Sequence, residues 1–149
     1  MAGGEIFAVR VLVDTNVLID FIAVREPFYR YALRIIDACD RNIIAGSIAA
    51  QSVPDIYYIL RKDVSSEDRR EILRALCSIF SVEGLDREKL MNALNDEAFS
   101  DFEDCLIMNC GLSFGADYII TRNTADFAGS LIPAISPEEF CVRFLIEES

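Results

Sequence analysis

At 149 residues, with 52% hydrophobic and 26% charged side chains, the chain has ordinary globular composition and enough length to bury a substantial core without staples. Its formal net charge of −11 argues against a nonspecific nucleic-acid coat, because such a surface repels phosphates at long range and favours basic partners. Histidine is absent, which removes histidine-based triads, histidine general bases and most zinc sites together.

No apolar run approaches the length of a membrane span. The start Met1 to Glu5 has neither the basic flank nor the apolar core of a signal peptide. The cysteines Cys39, Cys77, Cys105, Cys110 and Cys141 include no Cys-x-x-Cys pair and read as small core residues of a reducing cytoplasm. No repeat or linker divides the chain, so one domain over 1–149 is expected, with 1–8 as a flexible or appended start.

In chain order, the apolar run 9–13, broken only by Arg10, has the β-branched composition of a short buried strand. It stops at Asp14-Thr15-Asn16, small polar residues that favour turns and caps, and apolar character resumes at Val17, Leu18 and Ile19. Helical spacing of Phe28, Tyr31, Ala32, Ile35, Ile36 and Cys39 predicts a helix over 27–41, with Pro27 in its first turn. A short strand is expected over 42–45, ending at Gly46. A helix over 47–61 follows with Val53, Ile56, Ile59 and Leu60 inward, which Pro54 either starts or kinks. The next helix, 66–80, turns Ile72, Leu73, Leu76, Ile79 and Phe80 inward. A strand over 81–84 precedes a helix capped by Asp86 and carrying Leu90 and Leu94 on its apolar side.

The second half repeats the alternation. Ser100-Asp101-Phe102-Glu103 has the capping-box pattern ahead of an apolar helix ending near 111–115. A strand over 117–120 stops at Thr121-Arg122-Asn123, and 131–135 is another strand candidate. Ser136-Pro137-Glu138-Glu139 supplies cap, proline and acidic first turn for a last helix. Strands alternating with helices predict a three-layer α/β/α domain around a mostly parallel sheet.

Each candidate acid has an ordinary reading beside its functional one. Asp14, at the end of a buried strand where open α/β sheets bind ligands, is equally placed to cap the next helix through the amides of Asn16 and Val17. Asp55 lies in an apolar helix with Tyr58 and Ile59 as helical neighbours, beside buried surface where an unpaired charge is costly, or is simply exposed at the edge of the stripe. Asp101 and Asp104 share a helix face and repel, or form an acidic first turn favoured by the helix dipole. Asn123 and Asp126 are candidates that also suit a turn. Together these groups come from two strand ends and two helices that the alternation brings to one edge. Carboxylates without histidine or paired cysteine select a hard ion such as Mg²⁺ or Mn²⁺, which serves phosphoryl chemistry.

Four stretches make the chain resemble the PIN-domain family of metal-dependent ribonucleases, especially its bacterial and archaeal toxin-type members: 13–18 (Val-Asp-Thr-Asn-Val-Leu), 55–60 (Asp-Ile-Tyr-Tyr-Ile-Leu), 101–106 (Asp-Phe-Glu-Asp-Cys-Leu) and 116–123 (Ala-Asp-Tyr-Ile-Ile-Thr-Arg-Asn) followed by Asp126-Phe127. The likeness runs from about Val9 to Phe140. It implies a five-stranded parallel sheet flanked by helices and an acidic pocket for Mg²⁺ or Mn²⁺. Asp14 matches the first metal-binding carboxylate, Asp55 the second (more often Glu) and Asp104 the third. Asn123 stands where many relatives carry Asp, and Asp126 or Asp101 would compensate. Thr121 and Asn16 would orient these groups, and Arg122 would meet a phosphate. The implied activity is endoribonuclease cleavage of RNA, with an antitoxin protein and a homodimer as partners. A catalytically weak PIN-like binding or scaffold module is the alternative. A phosphoaspartyl enzyme using Asp14 fits less well, since Asn16 replaces the second acid it would need.

Overall fold

In the computed structural model, which describes residues 8–145, the first apolar run forms strand β1 (Arg10–Val13). All of the expected loose start except its last residue, Ala8, lies outside the described residues. Strand pleating sends Val11 and Val13 into one core cluster and Leu12 into another on the opposite face. Asp14 has extended backbone and caps helix α1 (Thr15–Ile22), accepting from the Thr15 amide rather than from those of Asn16 or Val17.

Helix α2 (Tyr29–Asp40) begins later than its spacing predicts. Pro27 lies in the turn before it, because the Tyr29 amide bonds back to Arg25 O at 2.7 Å and closes that turn first. Strand β2 (Ala45–Ala49) is likewise displaced from the expected 42–45. Asn42 takes a left-handed φ of 59°, and the amides of Ile43 and Ile44 bond Ala38 O, so 42–44 finish the preceding helix instead. Ser47, expected to open a helix, sits in the strand and donates its hydroxyl to Val11 O at 3.2 Å.

Helix α3 (Ser52–Ile59) continues into a 3-10 turn at Leu60–Lys62. Pro54 falls in the first turn of α3, where no intrahelical donor is needed, so it starts the helix without kinking it. Helix α4 (Ser66–Ile79) and strand β3 (Ser81–Glu83) follow as expected. Helix α5 (Arg87–Asn95) has its Asp86 cap, but Leu90 and Leu94 face outward and Ala93 is its buried residue. Helix α6 (Phe102–Phe114) is capped by Asp101, one residue after the expected Ser100. Every residue from Cys105 to Gly111 is buried, so α6 is covered on all sides, and it ends at Gly115 with φ 77°. Strand β4 (Tyr118–Ile120), strand β5 (Ala134–Ile135) and helix α7 (Pro137–Phe144) complete the chain. β5 has two of the five expected residues, and Leu131 is exposed.

The strands form one all-parallel sheet in the order β3-β2-β1-β4-β5. One core cluster joins α1, α2, α3, α4 and α7 to the face bearing Val11 and Val13; the other joins α5 and α6 to Leu12. This is the three-layer α/β/α architecture. No described helix is long and apolar enough to cross a membrane. Four cysteines are buried, but Cys77 is exposed, contrary to a purely core reading.

Gly46 provides a direct test of how tightly α2 and α4 close over β2. A methyl group there would stand 2.5 Å from Cys39 Sγ and 2.9 Å from the Phe80 ring. Gly46→Ala is therefore expected to cost about 1–3 kcal/mol in thermal or denaturant unfolding, as overpacking does. Gly84→Ala, with nothing within 4 Å, is the matched control. Equal stability of the two variants would refute the close packing.

Candidate functional site

The sheet order reverses at β1, with β2 on one side and β4 on the other, and open α/β sheets place ligands at the carboxyl ends of such strands. Val13 is in register with Ile120, so the next residues along each strand, Asp14 and Thr121, become neighbours. The Asp14 amide extends the ladder to Ile120 O at 2.9 Å. The Asp14 carboxylate accepts from the Thr15 amide on Oδ1 and from the Thr121 hydroxyl on Oδ2, both at 2.8 Å. Thr121 Oγ1 in turn accepts from the Asn123 amide at 3.1 Å. Asn16 Nδ2 lies 3.4 Å from both Asp14 Oδ2 and Thr121 Oγ1. Thr121 and Asn16 thus stand where they orient the first carboxylate.

Two helices bring further acids to this edge. Thr15 and Ser52 hydroxyls meet at 2.6 Å and tie the start of α1 to the start of α3, whose first turn carries Asp55. Gln51 Nε2 donates to Asp55 Oδ1 at 3.0 Å. Asp101, capping α6 through the Asp104 amide, sets Asp104 in the first turn of that helix. Asp14, Asp55, Asp104 and Asn123 all line one cleft of about 480 Å³. Its lining also includes Tyr58, Ile59, Leu85, Glu103, Leu106 and Ile107.

Electrostatics sets these acids apart from ordinary surface carboxylates. Burial pushes the Asp104 carboxyl up to about 6, and Asp101, Asp14, Asp126 and Glu103 add to the shift in that order. Burial also raises Asp14; the Thr121 and Thr15 hydrogen bonds oppose it, Asp126 reinforces it and Arg122 opposes it. Among the described residues, no lysine or arginine forms an ion pair with Asp14, Asp55 or Asp104.

Not every expected residue joins the cleft lining. Asp101 is an exposed cap, and Asp126 is exposed and acts on Asp14 and Asp104 through its charge. Arg122 sends its backbone amide toward Asn16 Oδ1 at 3.4 Å and its side chain elsewhere. Its guanidinium grips Asp20 with contacts of 2.6 and 3.3 Å and lies 4.3 Å from the Phe28 ring centroid. The expected phosphate contact therefore has no counterpart in where this side chain points. Nor do Tyr58 and Ile59 bury Asp55: both are exposed and form the cleft wall beside it.

The sequence reading passed over Asp20, Gln51 and Glu103. Gln51 was findable, since a side chain four residues before Asp55 is its helical neighbour. Glu103 lies in the same acidic first turn as Asp104. Asp20 had no local signal, because its partner is 102 residues away.

The donors here are hard oxygens without imidazole or paired thiolate, and their charge is uncompensated by any ion-paired cation. On both counts the residues fit Mg²⁺ or Mn²⁺. Among the described residues, no three acidic or thiol groups stand close enough to hold one ion between them, so the fit rests on donor type and charge.

A family model for the PIN domain matches residues 10–125. Ribonuclease VapC1 of Aquifex aeolicus (strain VF5) is 26% identical over 139 residues, covering 91% of this chain and 95% of that protein. A toxin-antitoxin complex from Klebsiella pneumoniae contains a chain 23% identical, with TM-score 0.64, covering 85% of this chain and 97% of its own. DNA-bound VapBC from Salmonella typhimurium gives 16% identity and TM-score 0.64 over 87% and 98% of the two chains. At these identities the two structures establish a shared fold.

Proposed function

The chain belongs to the PIN-domain family, and from that membership and its acidic cleft we propose that it is a divalent-metal-dependent endoribonuclease of the toxin type. The observation that carries this reading is the meeting of Asp14, Asp55 and Asp104 in one cleft, none of them ion-paired to a lysine or arginine among the described residues. Carboxylates of this cleft, with water completing the shell, would hold Mg²⁺ or Mn²⁺, which would supply an activated water and offset charge on the phosphodiester. Thr121 and the Thr15 amide fix the Asp14 carboxylate, each taking one lone pair of a different oxygen, so that each oxygen keeps acceptor capacity for an ion. Asn123, which also lines the cleft, would position without contributing charge. The same reading carries a protein antitoxin, supported by the toxin-antitoxin complexes among the structural relatives, and it carries a homodimer as a further expectation of the family likeness. A cytoplasmic location goes with it.

The test is cleavage of single-stranded RNA in EDTA, Mg²⁺ and Mn²⁺, with cutting expected only when a divalent ion is present. RNA left intact under all three conditions would replace this reading with that of a binding module.

The neutral fourth position gives a sharper expectation. Two ions about 4 Å apart need several carboxylates to offset their repulsion, so one site should be well formed and a second should fill only with substrate phosphate. Asn123→Ala is expected to cost about 10–100-fold in cleavage, as loss of a supporting group does, and less than Asp104→Ala. Asn123→Asp should tighten the second site in calorimetric metal titration. Two equally tight sites in the unsubstituted protein, or an Asn123→Ala variant as inactive as Asp104→Ala, would overturn it.

A further inference from the structure

Tyr58 stands one helical turn beyond Asp55, so both project from the same side of α3, and both line the cleft. A tyrosine in such a place would ordinarily pack inward, yet Tyr58 is 63% exposed. Its ring is nevertheless held. Arg61 donates from Nη1 to Tyr58 O at 2.8 Å, and this bond lays the guanidinium 3.7 Å from the ring centroid. One face of the ring is thereby backed by a cation, at low entropic cost because the arginine is anchored to the same turn. Among the described residues Arg61 has no carboxylate partner, in a chain with a net charge of −11. A guanidinium without a carboxylate partner among the described residues thus stands against an exposed, preorganised ring that lines an acidic cleft.

We propose that Tyr58, backed by Arg61, is the base-stacking platform of the cleft, seating an unstacked nucleobase of single-stranded RNA beside the phosphate that a divalent ion would bring to the carboxylates. This rests on the ribonuclease reading and narrows its substrate class. Aromatic rings accept any base by its π-face, so the platform recognises single-stranded character more than sequence. Bases in a duplex are paired and stacked on one another and do not present that face. The Arg61 charge favours the electron-rich ring and nearby phosphates alike, offsetting in part the repulsion from the surrounding acids.

The experiment is steady-state cleavage, in Mn²⁺, of a short RNA as a single strand and annealed to its complement. Tyr58→Ala is expected to raise KM for the single strand about tenfold, the scale of one lost base-stacking contact. Its kcat and the Mn²⁺-induced rise in Tm should stay near those of the unsubstituted protein. Tyr58→Phe should restore KM, Arg61→Gln should fall between, and the annealed substrate should be cut poorly by all. An unchanged KM in Tyr58→Ala, or a Tyr58→Phe variant as impaired as Tyr58→Ala, would overturn the platform while leaving the ribonuclease reading intact. So would weakened binding of a basic antitoxin-like peptide by Tyr58→Ala with no change in RNA KM, which would assign the ring to a protein interface. Failure of the unsubstituted protein to cut any RNA while still binding Mn²⁺ would remove the ribonuclease reading itself, and the platform with it.

Discussion

Asp104→Asn is expected to abolish RNA cleavage, by at least about 10³-fold or on the order of 4 kcal/mol of transition-state stabilisation, while making the ion-free protein more stable at neutral pH. The two effects share one cause. Burial first, and then the charges of Asp101, Asp14, Asp126 and Glu103, raise the Asp104 carboxyl from 3.8 to about 6. A carboxyl whose folded value lies above its unfolded one favours folding in its protonated form. That contribution is fully present below pH 3.8 and is lost as pH rises through about 6. At pH 7 the charged Asp104 therefore opposes folding, and a neutral isostere relieves both the cost of burying its charge and the repulsion. Because the group is only partly buried, solvent screening keeps the gain to on the order of 1 kcal/mol.

Divalent ions reverse the order. A ligand bound only by the folded state stabilises it by mass action, so millimolar Mn²⁺ should raise the Tm of the unsubstituted protein and scarcely move that of Asp104→Asn. Lowering the pH below about 6 should weaken the Mn²⁺ response, since Asp104 must lose its proton to act as a ligand. Melting curves of both proteins at pH 7 and pH 5, with and without Mn²⁺, decide the matter. A variant less stable than the parent without metal, or one that keeps the full Mn²⁺ shift, would show that Asp104 is a structural cap-turn residue and no ligand.

The same residues show what was legible in the sequence. Val11 to Asn16 could be read directly, because a β-branched run that ends in small polar residues specifies a buried strand and its carboxyl end by local chemistry alone. The ordinary reading of Asp14 holds in part: it caps α1, through the Thr15 amide and not through those of Asn16 and Val17, and it lines the cleft as well, so capping does not exclude a place in the site. The 81–84 strand and the Ser136-Pro137 helix start likewise follow from local signals.

Elements that depend on distant packing were misread. Gly46 and Ser47 look like a strand terminus, yet they occupy the middle of β2 because Cys39 and Phe80 leave no room for a Cβ at 46 and because Ser47 bonds β1. Leu90 and Leu94 are the larger apolar residues of α5, but the small Ala93 is what its close approach to α6 buries. Periodicity turns Ile59 inward and makes Tyr58 and Ile59 a buried surface beside Asp55, yet both are exposed, because periodicity cannot distinguish a core from a cleft wall.

Arg122 is the residue whose sequence neighbourhood misleads most, and its replacement carries the largest expected stability loss. Asp20, on α1, is 1% exposed, and the Arg122 guanidinium grips both of its oxygens from the segment that follows β4. Removing one partner of a buried pair strands the other charge, at about 3–5 kcal/mol, a large part of the 5–15 kcal/mol typical of a whole domain. The cost should be lopsided. Arg122→Met leaves a fully buried carboxylate with no counter-ion, whereas Asp20→Leu leaves an arginine side chain that is 27% exposed and can turn toward water. The double variant should recover much of the Arg122→Met loss, because an apolar pair replaces the ionic one. The pair also braces the site. Arg122 sits between Thr121, which bonds Asp14, and Asn123, whose amide bonds Thr121. Arg122→Met should therefore lower the affinity for Mn²⁺ as well as the stability, and the double variant should regain more stability than metal affinity. Denaturant unfolding and Mn²⁺ titration of the three variants test this. A loss under about 1 kcal/mol in Arg122→Met, or metal binding unchanged in all three, would mean that the strand-end loop holds Asp14 without help from this pair.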